Sequence, residues 1–560
     1  MLESIDRLRA LPRLAEIVRV LARHGLQDLV HSAGLHRLVE ETAGVLGWEA
    51  DPALAQRPLP ERGRLALEAL GPAFVKLGQV LASRVDLLPA EWIASLDELH
   101  DRATPVPYAG VEAQLRADLG KPVEEAFSSF DTQASAAGSI AQVYRAALPD
   151  GRAVAVKVRR PGVEETVKAD LILLEGVAAW WQGTHPEAWR YQPVELVAQL
   201  RKSVAREIDF MAEGRSQERF CESFEGDPAI VIPRVHSSFT TASLLVMDWI
   251  DGVAGTDLAA VDAAGLDRQA LAAHGADAVL KMVLVDGFFH ADPHPGNVFF
   301  LPGNRVALID FGMVGWLSHR RRDELIDLLA AVSAHDAEAM RDVLLQWADG
   351  RKVSAERFAE DLGRLLHLYE HATLREVSLA MLLSEIATVI REHHLMLPPD
   401  LAMLFKALIT LEALGTRLVP RFRLIEHVAP YVRMLIMRRW APGRVAGRFS
   451  GAMREWARVV RLAPRALEAF TRRFSDDGVA VRFEIVGMER SARRLERGID
   501  RATIGVVTAA LIVGSSILVA FAAGHASLAM SFFGAIGILV AIVNIVWLVS
   551  SIRRVGRSDR

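Results

Sequence analysis

The sequence contains a single cysteine, Cys221, in 560 residues. That excludes an internal disulfide framework and any zinc or iron–sulfur centre built on cysteine, and it fits a reducing compartment. No G-x-G-x-x-G fingerprint and no P-loop occurs, so neither a dinucleotide fold nor a P-loop NTPase is indicated. Zinc-finger spacing, an RNP signature and basic heptads are also missing, so nucleic acid is not an expected partner. There is no internal repeat and no low-complexity segment. Lysine is scarce, with 8 against 57 arginines. Codon usage accounts for the bias, but each lysine is then a departure from local habit, Lys76 and Lys157 above all.

What is present is apolar. Apolar residues make up 51%, charged residues 24%, and the mean hydropathy is +0.20. This is ample for packed cores, and the length allows about three to four domains. The net charge of −4 is unevenly spread. Residues 421–500 hold 18 Arg and 9 acids (+9), and 501–560 hold 5 Arg and 1 acid (+4), which leaves −17 on 1–420. An acidic body with a basic tail suggests that the tail faces something anionic, such as phospholipid headgroups.

Residues 502–523 and 527–551 are uncharged runs of 22 and 25 residues. Each exceeds the ~20 residues a helix needs to cross a bilayer. Only Gly524, His525 and Ala526 separate them, so a transmembrane helical hairpin is expected, with Ser515, Ser516, Gly534 and Gly537 allowing close approach. Arg493, Arg494, Arg497 and Arg501 precede it and Arg553, Arg554, Arg557 and Arg560 follow it. The positive-inside rule places both ends in the cytoplasm. Residues 1–30 are amphipathic and Arg-rich, without the apolar core of a signal peptide, and Glu3, Asp6 and Glu16 argue against a transit peptide.

Residues 1–104 read as a helical extension, with helices near 65–81 and 90–100. From 105 the texture changes. Runs at 140–148 and 152–158 flank Pro149-Asp150-Gly151, a hairpin signature. Helices are expected at 163–182 and 193–224, strands at 230–235 and 243–249, a helix at 266–285, and a short hairpin at 298–301 and 305–309. After Asp310 the chain reads as almost wholly helical. Strands followed by helices over 105–420 make an α+β, two-lobed unit, with an N-lobe at about 105–250 and a C-lobe at about 251–420. A basic helical juxtamembrane region at 421–500 and the hairpin at 501–552 follow.

The densest polar cluster is His290-Ala291-Asp292-Pro293-His294-Pro295-Gly296-Asn297. Eighteen residues after Asp292 stands Asp310-Phe311-Gly312, at the end of an apolar strand-like run. A carboxylate there is costly unless it meets a cation or a fixed donor. Asp310 and Asn297 offer the hard oxygens that suit Mg²⁺, and Asp292 can orient or deprotonate a nucleophile. The His-x-Asp-x-His spacing would also suit a transition metal, but a structural loop role for His290 and a loop or phosphate contact for His294 are the plainer readings. The order and spacing resemble the protein-kinase-like superfamily, whose catalytic Asp, metal-binding Asn and DFG Asp follow this pattern.

The upstream half then supplies Val154-Ala155-Val156-Lys157, which matches the V-A-I-K strand, with Glu207 or Glu213 as the lysine's partner. In place of a glycine-rich loop stands Ala134-Ser135-Ala136-Ala137-Gly138-Ser139-Ile140-Ala141-Gln142-Val143. Its Cβ atoms stiffen it relative to a glycine run. Met247 and Trp249 end a strand where a kinase hinge would meet adenine. Core packing would account for them equally well.

Four signatures then resemble the UbiB/AarF family of atypical kinase-like proteins: Lys76-Leu77-Gly78-Gln79 followed by Ser83-Arg84-Val85-Asp86-Leu87-Leu88-Pro89; the Ala-rich loop; Glu207-Ile208-Asp209; and the Asp292–Asn297 loop. Gly138 departs from the family's usual Ala. The resemblance implies a bilobal protein-kinase-like fold, ATP and Mg²⁺ as cofactors, and ATPase or kinase activity supporting biosynthesis of a polyprenyl quinone, ubiquinone in proteobacteria. It implies a location at the bacterial inner membrane with the kinase-like domain in the cytoplasm. Its implied partners are membrane lipids, quinone precursors and other quinone-biosynthesis proteins, and a homodimer is left open.

By the same resemblance Asp292, Lys157 and Glu207 form the catalytic set, and Asn297 and Asp310 hold the metal. Ala136, Ala137, Gly138, Ser139, Ile140, Val143, Lys157, Met247 and Trp249 border the nucleotide. Lys76, Gln79 and Glu213 restrict access, with Lys76 directed to Glu207, Asp209 or Glu213. Direct hydroxylation is opposed by the missing dinucleotide fingerprint and the single cysteine. A small-molecule or lipid kinase, and a non-catalytic nucleotide-binding scaffold, are the competing readings.

Overall fold

The computed structural model describes residues 13–14, 16–26, 51–99, 104–347, 353–369 and 378–439, all within the first of two compact units, Met1–Gly447. The expected membrane hairpin and residues 440–500 of the basic juxtamembrane region lie outside the described residues. Among the described residues no helix is long and apolar enough to cross a membrane.

The extension contributes α1 (Leu59–Leu70), α2 (Pro72–Ala82) and α3 (Ala90–Asp97). One helix was expected near 65–81. Instead Gly71 breaks it at φ +97°, and Pro72 starts α2 at the position where a missing N–H costs nothing. Gly78 on α2 lets three helices converge. A Cβ there would lie 2.1 Å from Leu99 Cδ1 and 3.0 Å from Leu67 Cδ1. Gly78→Ala is therefore expected to destabilise the fold by about 1–3 kcal/mol, the usual cost of overpacking. Urea denaturation checks it, and an unchanged midpoint would mean that the leucines simply move aside.

The N-lobe begins with α4 (Tyr108–Leu119) and a five-stranded sheet. Its first strands are β1 (Ser129–Phe130), β2 (Ala136–Ala137), β3 (Ala141–Ala147) and β4 (Ala153–Arg159). The β3–β4 hairpin turns at Gly151 (φ +86°), as its Pro-Asp-Gly turn predicts. Alternation sorts β4: Val154, Val156 and Val158 pack with Tyr144, Leu244 and Val246 under α4, while Lys157 emerges on the opposite face.

Helices α5 (Val163–Thr184), α6 (Pro193–Glu207) and α7 (Phe210–Ser223) follow. The single helix expected over 193–224 is two, because Asp209 leaves helical geometry and accepts the Met211 amide as an N-cap. Helix α2 packs on α5, α6 and Ile140 in one apolar cluster.

The lobe boundary expected at 250 is not clean. β5 (Ile230–Val231) is shorter than the strand predicted over 230–235, and it pairs in parallel with a C-lobe strand. β6 (Leu244–Asp248) then returns to the N-lobe sheet beside β4. After β7 (Val253–Ala254) comes α8 (Arg268–Leu280), which ends in a π-turn, Lys281–Asp286. β8 (Phe288–His290), the hairpin β9 (Val298–Leu301) and β10 (Arg305–Leu308), and β11 (Val314–Trp316) frame the polar loops. β11 is a strand in a stretch expected to be helical. It forms by pairing with β8, Val314 opposite His290.

The helices α9 (His319–Ser333), α10 (Ala337–Trp347), α11 (Ala355–His367), α12 (Leu379–Glu392), α13 (Pro399–Leu418) and α14 (Leu424–Arg439) complete the C-lobe around one large apolar core.

The extension is fastened to both lobes. Arg84 makes a bidentate pair with Asp86 at 2.9 and 2.7 Å, and Asp86 also accepts the Leu397 amide at 2.9 Å. Arg391 of α12 donates to the Leu88 carbonyl at 2.9 Å. These bonds hold the segment after α2 on the C-lobe, while α2 itself packs on the N-lobe helices.

Candidate active site

The β9–β10 register assembles the polar loops. Val298 lies opposite Leu308, and the Ile309 amide donates to the Asn297 carbonyl at 2.9 Å. Asn297 and Asp310 are thereby brought to the same mouth of one hairpin. The Asn297 amide nitrogen donates to the Asp292 carbonyl at 3.2 Å, which commits the nitrogen end to the loop and leaves the oxygen end as the metal-type donor. Asp310 sits in the left-handed region at φ +60° and accepts the Gly312 amide at 3.1 Å. An Asp tolerates this conformation because its short side chain bonds locally.

His290 is fully buried. Its Nδ1 accepts the Asp292 amide at 3.2 Å and its Nε2 lies 3.2 Å from the Ile309 carbonyl. With both ring nitrogens spent on backbone groups, His290 locks the loop. His294 Nδ1 accepts the Gly296 amide at 2.9 Å in the same manner. Among the described residues no group of three or more His, Cys, Asp and Glu side chains could hold a metal ion.

Lys157 projects from β4 between Glu213 and Asp310. Its Nζ is 2.8 and 2.9 Å from the Glu213 oxygens and 3.7 Å from Asp310 Oδ1. Burial alone would depress the lysine, but Asp310 and Glu213 outweigh it and push its pKa above the ordinary value. For Asp310, burial works to raise the carboxyl, while Lys157 and the Gly312 amide together hold it below the usual range.

Glu213 is presented by a precise helical spacing: Glu213, Gln217 and Phe220 are all buried on one face of α7. Phe220 packs on Phe311 at 5.0 Å between ring centroids, so the helix that holds the lysine's partner also seats the loop that carries Asp310.

Lys76, buried on α2, forms its salt bridge with Glu207 at the end of α6. The pairing of the two glutamates, left open by the sequence, is thereby seen. Glu213, expected at the gate, pairs with Lys157, and Glu207, expected in the catalytic set, pairs with Lys76. The reason is the break at Asp209, which turns α6 and α7 to different sides. Asp209 itself serves as the α7 cap, with Arg215 at 3.7 Å.

A cavity of about 650 Å³ brings together Lys76, Gln79, Glu207, Asp292, Asn297 and Asp310. Lys157 reaches its edge through Asp310. The predicted nucleotide residues divide. Ala136, Val143 and Lys157 form a row across the sheet, Val143 pairing with both neighbours, and Ala137, Gly138 and Ser139 make the turn beside them, with the Gly138 amide on the Ala141 carbonyl at 2.8 Å. The other three lie outside that row, and for Met247 and Trp249 packing is an equal expectation. Ile140 is buried in the cluster under α2. Met247 is buried and its sulfur accepts from Gln217 at 3.4 Å. The Trp249 ring lies under Arg145 at 5.0 Å. None of the nine predicted nucleotide residues lines the cavity.

The sequence reading missed the cavity's far wall: Asp97 from α3, and Lys406 and Arg417 from α13. Lys406 Nζ lies 3.2 Å from Asp97. The scarcity of lysine could have found Lys406, which stands between apolar residues, Phe405 and Ala407, on this helix.

A strand lysine held by a helix carboxylate, above a helical lobe that offers Asp and Asn oxygens from a hairpin mouth, is the arrangement of the protein-kinase-like fold. Within that class, the chain belongs to the UbiB family of atypical kinase-like proteins. The ABC1 atypical kinase-like domain matches residues 98–344, the UbiB helical domain 362–423, and the ABC1/UbiB kinase-like C-terminal domain 486–554. The chain is 32% identical over 526 residues to a protein named "Probable protein kinase UbiB" from Xanthomonas axonopodis pv. citri, covering 90% of this chain and 94% of that one. A protein of the same name from Marinobacter nauticus is 30% identical over 518 residues, covering 90% and 94%. A solved structure of Rv3197 with erythromycin from Mycobacterium tuberculosis aligns with 71% of this chain and 98% of its own, at 21% identity and a TM-score of 0.43.

Proposed function

We propose that this protein binds Mg-ATP in the cavity and acts as a membrane-anchored ATPase or kinase that supports ubiquinone biosynthesis, by acting on lipid intermediates or giving access to them. The observation that carries the reading is the meeting of Asp310, Asn297 and Asp292 at one cavity, with Lys157 3.7 Å from Asp310. Lys157, kept charged by Glu213 and Asp310, contacts the nucleotide phosphates. Asp310 and Asn297 fit Mg²⁺ by donor type, a carboxylate and an amide oxygen, and the ion would neutralise charge on the phosphate oxygens. Asp292, on a loop locked by His290 and His294, orients the attacking hydroxyl or water and accepts its proton. The Lys76–Glu207 bridge, with Gln79, narrows the entrance. The uncharged runs at 502–523 and 527–551 serve as the anchor.

The test is lipid extraction from a deletion strain complemented with wild-type protein or Asp292→Asn. A quinone precursor should accumulate in the deletion and persist with the variant. Normal quinone content in either would overturn the reading. A reporter fused after Arg560 should be cytoplasmic, and one inserted at His525 external.

Lys76→Ala would leave the half-buried Glu207 without this cation, at a cost of about 1 kcal/mol, the low end for a group that water still reaches. Altered nucleotide affinity and lost quinone synthesis are expected. Wild-type nucleotide binding with full complementation would reduce this bridge to packing.

A further inference from the structure

The cavity has two electrostatically different ends. One is the Lys157–Glu213–Asp310 group with Lys76 and Glu207. At the other, Asp97 feels Lys406, Asp292 and His294. The second end is built on α13. Most of that helix is buried apolar surface, including Leu401, Leu404, Phe405 and Leu408. Positions 406, 409, 410, 413 and 417, one stripe at helical spacing, instead face the cavity. The stripe carries a cation near each end, Lys406 and Arg417, with Ile409 and Ala413 between them. Leu96 and Leu99 of the extension border the same space.

We infer that this wall is a subsite for a small amphipathic anion, whose carboxylate or phosphate end is held by Lys406 and whose apolar body lies along Ile409 and Ala413. The inference deepens the proposed function, since it names the class of molecule that would share the cavity with the nucleotide.

The observation that points to an anion is the one already in place. Asp97 reaches across from α3 and sets its carboxylate 3.2 Å from Lys406. It does so in a corner shared with Asp292, where burial disfavours its charge and Lys406 opposes that effect. Asp97 is thus an internal stand-in for a bound anion. A ligand carboxylate or phosphate would displace it and free α3 from α13. The apolar middle of the stripe matches an alkyl or aromatic body, and the cavity volume of about 650 Å³ is that of a small-molecule site.

The experiment titrates full-length protein in nanodiscs with hexyl phosphate, hexanoate, hexanol and inorganic phosphate by calorimetry, with and without Mg-ADP. Both amphipathic anions should bind, with and without Mg-ADP, and hexanol and inorganic phosphate at least tenfold more weakly. Lys406→Gln should weaken anion binding at least tenfold and leave Mg-ADP affinity unchanged, while Lys406→Arg retains it. Asp97→Asn, which removes the competitor, should strengthen anion binding severalfold. No anion binding to the wild type, equal binding of hexanol, equal binding of inorganic phosphate, anion affinity unchanged in Lys406→Gln, or anion affinity unchanged in Asp97→Asn would each overturn the subsite. A fall in Mg-ADP affinity in Lys406→Gln would assign the cation to the nucleotide and overturn it too. Failure of the wild type to bind Mg-ADP would count against the proposed function, and the anion titration is read separately from it.

Discussion

Asp310→Asn should remove the whole thermal stabilisation that Mg-ATP gives the wild-type protein. The substitution is close to a pure charge deletion. Asn tolerates the left-handed backbone at φ +60°, and its oxygen can still accept the Gly312 amide at the 3.1 Å position. What is lost is the negative charge that a hard cation requires and that faces Lys157 at 3.7 Å. With ligand at one hundred times its Kd, binding stabilises a protein by about 2.7 kcal/mol, and that is the effect to be lost. Differential scanning fluorimetry with and without Mg-ATP reads it directly. A variant that keeps the wild-type shift would remove Asp310 from the metal site.

The largest loss of stability is expected at Glu213→Ala. Glu213 is 2% exposed and shares two short contacts with Lys157, whose side chain is 15% exposed. Removing one partner of a buried ion pair strands the other charge, at about 3–5 kcal/mol. Asp310 would retain a weaker contact from the other side, which sets the low end of that range. Replacing both partners by apolar residues of similar volume, Lys157→Met with Glu213→Leu, should recover most of the stability, because the stranded charge is gone. It should not recover nucleotide binding. Equilibrium denaturation of the two variants separates these outcomes. A cost below about 0.5 kcal/mol for Glu213→Ala, as at an ordinary surface site, would mean that Lys157 is solvated without its partner.

The same pair illustrates what could be read in advance. Lys157 was legible because strand alternation and the V-A-V-K pattern place a lone lysine on the open face of β4. Its partner was not. Glu207 and Glu213 are six residues apart, and on one continuous helix either could be turned to the sheet. Asp209 looks in sequence like one more charged residue of that helix. As an N-cap it ends one helix and starts another, and that break alone decides which glutamate meets which lysine. Ile140 and Met247 are a parallel case. Ile140 is buried by α2 and Met247 meets Gln217 of α7, contacts far away in sequence.

The sequence by itself determined the catalytic-loop grouping and the strand lysine. Asp292, Asn297 and Asp310 are separated by short intervals around one tight hairpin, so spacing and turn chemistry already bring them together. It also determined the β3–β4 hairpin, through its turn residues and alternation. Only the tertiary structure decided how the extension closes the cavity, which glutamate serves which lysine, and that Asp97, Lys406 and Arg417 form the far wall. Lys76 and Glu207 are 131 residues apart, and Asp97 and Lys406 are 309 apart. Local propensity carries no information over such distances. These contacts exist because apolar surfaces on α2, α3 and α13 are buried together, and their polar residues are then held wherever that packing puts them.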